Sequence, residues 1–371
     1  MLRAVAEVNL AAIERNVTLL RARLRPGTAI CVVVKANGYG HGAVQAARAA
    51  QTAGATTIAV ATAGEAAQLR QQGISGPILI LGAISQEELP LAVQARAEIC
   101  VWDERFVASV AALDGMTAIH VKLDSGMGRL GTRDAEKALA IVGTVIAEPN
   151  LHLAGVTTHF ATADVDQDFV NMQLRVFEPF VSVVREVAPD VVVHAANSGA
   201  TLWSQASHFD MVRCGIAAYG GDPMNQDPQP LGLEPALTLR SYVAAVKPIG
   251  PGESAGYGRR FIAERKTWLA TVPIGYGDGF RRGLTNTREV LIGGRRYLLV
   301  GTVSMDNITV DTGPTPEVAV GDVVTLIGVD GNERQTAEQL ARRLDTINYE
   351  VFTGISTRVP RHYHRDGVPV T

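Results

Sequence analysis

Lys35 directly follows the apolar run Ile30-Cys31-Val32-Val33-Val34. A lysine in that place is partly desolvated. Desolvation lowers its pKa below the usual ~10.4 and makes the amine nucleophilic. Such an amine forms Schiff bases with carbonyl compounds. The plain alternative is a strand-end lysine that carries its ammonium out to water. Other short apolar runs also end in polar residues. One leads into Asp124-Ser125-Gly126-Met127-Gly128-Arg129, one into His159, one into Asn197-Ser198-Gly199, and one carries Arg213 and Gly215 at its end. Asn-Ser-Gly-Ala opening a helix offers backbone N–H groups and a hydroxyl to a phosphate. The same residues also make an ordinary N-cap. A lone histidine is more often structural than catalytic. It is the convergence of lysine, histidine, arginine and an anion cup at strand ends that points to chemistry.

Competing motifs carry less. Gly126-Met127-Gly128-Arg129-Leu130-Gly131 formally matches the dinucleotide pattern GxGxxG. The acid that should follow about 20 residues on belongs at the end of the next strand, and Glu148 precedes that strand. No Gly-Lys pair, HExxH, GxSxG or cysteine/histidine zinc spacing occurs, so no metal is expected. His362 and His364 flank Tyr363 and read as an exposed strand face. Cys31, Cys100 and Cys214 are odd in number and widely spaced, which predicts buried free thiols in a reducing compartment.

The strand-end residues need strands to position them. Eight short β-branched runs occur: Ile30–Val34, Thr57–Ala61, Pro77–Leu81, Ala97–Val101, Ala118–Leu123, Leu153–Thr157, Val191–Ala195 and Met211–Cys214. Helical stretches such as Ala63–Gln72, Arg133–Ile146 and Asp166–Val187 separate them, and Leu10 to Leu24 has helical spacing behind Asn9. Continuous apolar strands alternating with helices predict an α/β fold with a covered parallel sheet. Eight units fit a (β/α)8 TIM-type barrel with its chemistry at the C-terminal strand ends. A doubly wound sheet has the same count. Gly220–Gly232, rich in glycine and proline, reads as a connector. Strand-like runs follow it: Ala236–Val246, Thr267–Val272, Glu289–Ile292, Tyr297–Val300, Ile308–Asp311 and Val323–Ile327. Gly293-Gly294 signals a hairpin, and Thr336–Leu344 a short helix. The expected division is a barrel over 1–223 and a mainly β C-terminal domain over 224–371, with the first few residues pairing with the β domain.

Composition excludes several classes. The 371 residues carry a net charge of -3 with no basic stripe, which gives no footing for nucleic acid. The 37 glycines follow no period, so a collagen-like fibre is excluded. No stretch is apolar enough to span a membrane, and the N-terminus reaches Glu7 before any signal-peptide core forms. A cytoplasmic protein is expected.

Taken together these residues resemble the alanine racemase family over essentially the whole chain. Val33-Val34-Lys35-Ala36-Asn37-Gly38-Tyr39-Gly40-His41-Gly42 is similar to the family's cofactor-lysine signature. Lys122-Leu123-Asp124-Ser125-Gly126-Met127-Gly128-Arg129-Leu130-Gly131 is a second match. Asn197-Ser198, Arg213-Cys214-Gly215-Ile216, Ala255-Gly256-Tyr257-Gly258, Gly275-Tyr276-Gly277-Asp278-Gly279, Ser304-Met305-Asp306 and Asn348-Tyr349-Glu350 follow in family order.

The resemblance implies a homodimer using pyridoxal phosphate (PLP) to interconvert L- and D-alanine for peptidoglycan. It implies that Lys35 binds the cofactor and then serves as one base, with the partner subunit's Tyr257 as the other. Removing a proton from one face and returning it to the opposite face needs two such groups. A phenol with a pKa of about 10 needs a positive neighbour to act near neutrality, and the implied ones are His159 and Arg213. Arg213 would also face the cofactor's pyridine nitrogen. Tyr39, His159, Asn197, Ser198, Gly215, Ile216 and Tyr349 would hold the cofactor. Arg129 and Met305 would bind the substrate carboxylate, and Tyr276 and Asp306 would line the entrance. Lys122 matches a lysine that is carbamylated in many family members. The alternatives are a broader racemase for serine or basic amino acids, and a non-catalytic PLP-binding protein.

Overall fold

A computed structural model describes residues 2–370. They divide into two compact units. Glu14–Ala218 form one; the residues up to Ile13, with those from Tyr219 on, form the other.

Strand β1, Ala4–Asn9, belongs to the second unit. The first contains β2 (Ala29–Val33), β3 (Thr57–Val60), β4 (Ile78–Ile80), β5 (Glu98–Val101), β6 (Thr117–Lys122), β7 (Leu151–Thr157), β8 (Val192–His194) and β9 (Met211–Cys214). These eight pair in parallel and close, β9 returning to β2 through Cys31 opposite Arg213. That is the barrel expected, not the open sheet. The strands are buried because β-branched residues fill both faces: Val32, Ile58, Ile78, Ile99, Val121, Val156, Val193 and Val212 are all essentially inaccessible. Short polar side chains start the helices between them. Thr62 and Glu65 form a reciprocal capping box, while Asp103, Asp134 and Asp166 each accept first-turn amides. All three cysteines are buried and free.

In the second unit, β1 pairs antiparallel with β10 (Leu237–Tyr242) and parallel with Arg361–Arg365. The expected run Ala236–Val246 is in fact two strands, the second being Ala245–Ile249. The chain breaks between them because Val243 N donates to Asp322 O and Ala244 N to Thr271 O. Gly293 and Gly294, both at positive φ, turn the hairpin Glu289–Ile292 to Arg295–Leu299. Among the described residues, no helix is long and apolar enough to cross a membrane, and no cluster could hold a metal ion.

Candidate active site

The C-terminal ends of the barrel strands bring five of the expected residues to one cavity. Lys35, Lys122, Arg129, His159 and Arg213 line it with Ala61, Leu81, Gly82, Cys100, Leu130 and Thr157. Lys35 lies just past β2 and Lys122 ends β6. Burial lowers the Lys35 pKa, and the charge of Arg129 lowers it further, while Glu65 opposes both. Lys122 is pushed down to about 8, first by burial, then by Arg213 and Arg129 against the raising effect of Cys100. Two amines are thus biased toward the neutral, nucleophilic form.

Arg213 is buried without a carboxylate beside it. Nη1 donates to Thr157 Oγ1 at 3.2 Å and His194 Nδ1 at 2.8 Å. Nη2 donates to Thr158 O at 2.8 Å, Ala195 O at 2.9 Å and His159 Nδ1 at 3.2 Å. Nε has no acceptor among the described residues. Burial and then the Arg213 charge hold His159 well below the usual histidine pKa, so its ring is neutral. Buried Gln173 fixes the His159 backbone, donating from Nε2 to His159 O at 3.1 Å.

Arg129 sits in a loop folded round one carboxylate. Asp124 Oδ1 accepts from Gly126 N at 3.1 Å and Gly128 N at 3.0 Å, and Oδ2 accepts from Arg133 Nε at 3.2 Å. Burial raises the Asp124 pKa, but these donors outweigh it and hold the group low. The glycine pattern Gly126–Gly131 is therefore an arginine-presenting loop.

A second group lies at the ends of β8 and β9. Asn197 Oδ1 caps the helix Ser198–Trp203 by accepting from Ala200 N at 3.1 Å. Ser198 Oγ accepts from Gly215 N at 2.9 Å and Ala217 N at 3.4 Å. Gly215 is glycine because Tyr39 crowds it: a Cβ there would fall 2.4 Å from Tyr39 Oη. Ile216 opens the short turn Ile216–Tyr219 that follows. Burial raises the Tyr39 pKa, so its phenol is a neutral hydroxyl.

The remaining candidates lie in the other unit. Tyr257 is 73% exposed and opens the turn Tyr257–Arg259. It lines a hollow with Gly256, Thr302, Ser304, Asn307 and Thr309, and Thr302 Oγ1 donates to its carbonyl at 2.7 Å. Tyr276 N donates to Ser304 O at 3.0 Å and Gly277 N to Met305 O at 2.9 Å, which fastens the Tyr276 turn to the Met305 segment. Asp306 Oδ1 accepts from Arg358 Nη2 at 2.7 Å. Tyr349 lies in the helix Asn348–Thr353, where buried Asn348 Nδ2 donates to Asp222 O at 2.9 Å and Glu338 Oε1 at 2.8 Å.

Comparison with known proteins decides the family. Residues 8–223 match the profile "Alanine racemase, N-terminal domain" and 236–363 "Alanine racemase, C-terminal domain". The chain is 43% identical to the alanine racemase of Geobacillus stearothermophilus, over 97% of this chain and 93% of that one. The chain belongs to the alanine racemase family. The crystal structure of the Bacillus anthracis alanine racemase, bound to L-Ala-P, matches at TM-score 0.93 and 39% identity, over 100% of this chain and 97% of that one. That of E. faecalis matches at TM-score 0.92 and 38% identity, over 97% and 98%.

Alanine racemases use PLP, and the donor set of the barrel fits it. Lys35 supplies an amine for the aldehyde. The spare Nε–H of Arg213 suits a pyridine nitrogen that accepts rather than donates. The Tyr39 hydroxyl, Ser198 Oγ and the backbone at Gly215 gather hydrogen-bonding groups for a phosphate. Sequence reading does not find His194, or the His120 and Glu98 behind it. The available signal was one polar residue inside each of three apolar strands.

Proposed function

We propose that this chain interconverts L- and D-alanine by a two-base PLP reaction, as a homodimer in which Lys35 works with the partner subunit's Tyr257. The observation that carries the reading is Lys35: a half-buried amine of lowered pKa on one cavity with His159 and Arg213. Bound PLP draws electrons from the substrate α-carbon and makes its proton removable. The neutral Lys35 amine takes that proton, or returns it, on one face. The partner subunit's Tyr257 does the same on the other.

His159 assists the phenol. Its Nδ1 accepts from Arg213, so its proton rests on Nε2. That N–H can donate to the phenol oxygen as its proton leaves. Arg213 cannot readily surrender a proton, so the pyridine nitrogen stays unprotonated. We infer that Arg213 would thereby weaken the bound cofactor as an electron sink and limit side reactions. Arg129 binds the substrate carboxylate. The partner subunit's Met305 helps through its amide, its carbonyl being engaged by Gly277. Tyr39, Asn197, Ser198, Gly215, Ile216 and Tyr349 hold the cofactor. Tyr276 and Asp306 narrow the entrance to substrates with small side chains. Lys122, with a neutral fraction of about a tenth at pH 7, can capture carbon dioxide as a carbamate that would orient Arg129. We place the activity in the cytoplasm, supplying D-alanine for peptidoglycan.

The test is incubation of the PLP-loaded protein with a panel of L-amino acids and chiral separation of the products. Alanine should convert far ahead of serine, lysine and arginine. A larger substrate converted equally well would overturn the substrate. No D-product would overturn the racemase reading.

A further inference from the structure

Arg213 ends a line of four side chains that three other barrel strands bring to it. Nη1 is 2.8 Å from His194 Nδ1 on β8, His194 Nε2 is 2.8 Å from His120 Nδ1 on β6, and His120 Nε2 is 2.9 Å from Glu98 Oε2 on β5. The two imidazoles meet edge to face, with centroids 5.0 Å apart. Both rings are buried, whereas the Glu98 side chain is 21% exposed.

Chemistry fixes the protons along this line. A guanidinium has donors only, so His194 Nδ1 accepts and the His194 proton lies on Nε2. That N–H donates to His120 Nδ1, so the His120 proton lies on its own Nε2 and donates to the Glu98 carboxylate. A second proton on His120 would leave His194 with two accepting nitrogens and no proton, which an imidazole does not adopt near neutrality. Both rings are therefore neutral, and the line runs one way, from guanidinium to carboxylate.

The barrel is adapted to hold it. The β6–β7 register slips between Ile119 and His120, so that Ile119 faces Leu153 but His120 faces Gly155. Gly155 leaves the space the ring needs: a Cβ there would fall 2.2 Å from His120 Nδ1. A bulge and a glycine both weaken a strand, and here they make room for the imidazole.

We propose that Glu98, His120 and His194 are positioning residues for Arg213. They fix one arm of its guanidinium fork and its proton pattern, so that Nε–H remains available to the cofactor's pyridine nitrogen. The inference rests on the reading of this cavity as the PLP site.

The test uses the full-length, PLP-loaded protein with 15N-labelled histidine. Long-range 1H–15N spectra distinguish the two neutral tautomers from imidazolium. His120 and His194 should both be neutral with the proton on Nε2. A proton on Nδ1 of either ring, or an imidazolium, would overturn the line without needing any variant. Glu98→Gln keeps an acceptor for His120, so tautomers and turnover should stay near wild type. Glu98→Leu removes the acceptor. It should leave the His120 tautomer, which the guanidinium sets through His194, in place but move the His120 Nε2–H resonance as that proton loses its acceptor, and lower kcat about tenfold, the size of one hydrogen bond to a charged group, with KM for alanine little changed. A folded Glu98→Leu protein with an unmoved His120 Nε2–H resonance and unchanged kcat would overturn the positioning role. Wild-type protein with the expected tautomers but no D-alanine would count against the racemase reading and leave the proton line standing.

Discussion

Glu65 holds the backbone that follows Lys35: its Oε1 accepts from Ala36 N at 2.6 Å. Its Oε2 accepts from Ala61 N at 2.8 Å and Thr62 N at 3.3 Å, so one carboxylate ties two loops together. The segment it fastens is unusual. Ala36, Asn37, Gly38 and Tyr39 all have φ between 51° and 62°, a left-handed turn. That conformation costs a non-glycine residue about 1–2 kcal/mol. Glu65, the Asn37 Oδ1 bond from Ala43 N and the backbone bond from Gly38 N to Val34 O offset the strain.

Glu65→Ala should therefore lower unfolding stability by about 2 kcal/mol, through loss of a helix cap and of the Ala36 bond. It should also remove the one charge that favours the Lys35 ammonium. The Lys35 pKa then falls further, and the acidic limb of the kcat/KM profile moves to lower pH. Denaturant titration and a pH–rate series read the two effects separately. A limb that moves upward would contradict the electrostatics.

Lys122 makes a prediction about stability and pH. Its folded-state pKa of about 8 lies below the ordinary 10.5. Below pH 8 both folded and unfolded chains hold the proton, and the burial penalty is fully present. Between pH 8 and 10.5 the folded chain has released it while the unfolded chain keeps it, so stability rises with pH in that window. In bicarbonate-free protein, wild type should gain on the order of 3 kcal/mol relative to Lys122→Met across the window. A carbamate abolishes this titration. The intact mass would then show the added carboxylate, and the difference would be flat.

How much of this was legible in the sequence follows from the range of each signal. Lys35 was readable because a buried strand run ends on it, and the barrel because eight such runs repeat. The strand face at His362 and His364 was read from the sequence, but its hairpin partner Val368–Pro369 was not, although Asp366-Gly367, both at positive φ, is a hairpin turn dipeptide. The polar line was out of reach for another reason. Glu98, His120 and His194 each look like an isolated polar residue in an apolar strand, and only the barrel register brings them together. The left-handed turn was hidden because Ala36, Asn37 and Tyr39 adopt it under tertiary restraint rather than by preference.

Asp278 is a fully buried carboxylate that fastens the Tyr276 turn. Its Oδ2 accepts from Gly275 N at 2.9 Å, and Arg3 and Arg358 pair with Oδ1. Asp278→Ala should cost about 1–3 kcal/mol, since it leaves Gly275 N unpaired while Arg3 and Arg358, both partly exposed, can turn to water. The turn also carries the Gly277 N to Met305 O bond, so its loosening should raise KM for alanine more than it lowers kcat. Relative conversion of serine should rise as Tyr276 loses its fixed place. Unchanged selectivity in a folded variant would remove Tyr276 from the entrance.

Arg213→Lys separates charge from geometry. Both side chains are cations, but the guanidinium engages His194, Thr157, Thr158, Ala195 and His159 at once. An ammonium has three donors on one atom and cannot span those acceptors. His194 Nδ1 and His159 Nδ1 then lack a donor, and each ring is free to change tautomer. The His159 proton moves off Nε2 for part of the time, and on the proposed two-base reading the partner subunit's Tyr257 loses its support. We expect kcat to fall about 100-fold, roughly two hydrogen bonds to a charged group. Stability should fall by about 2 kcal/mol. Activity within twofold of wild type would show that the charge at this position matters and its fork does not.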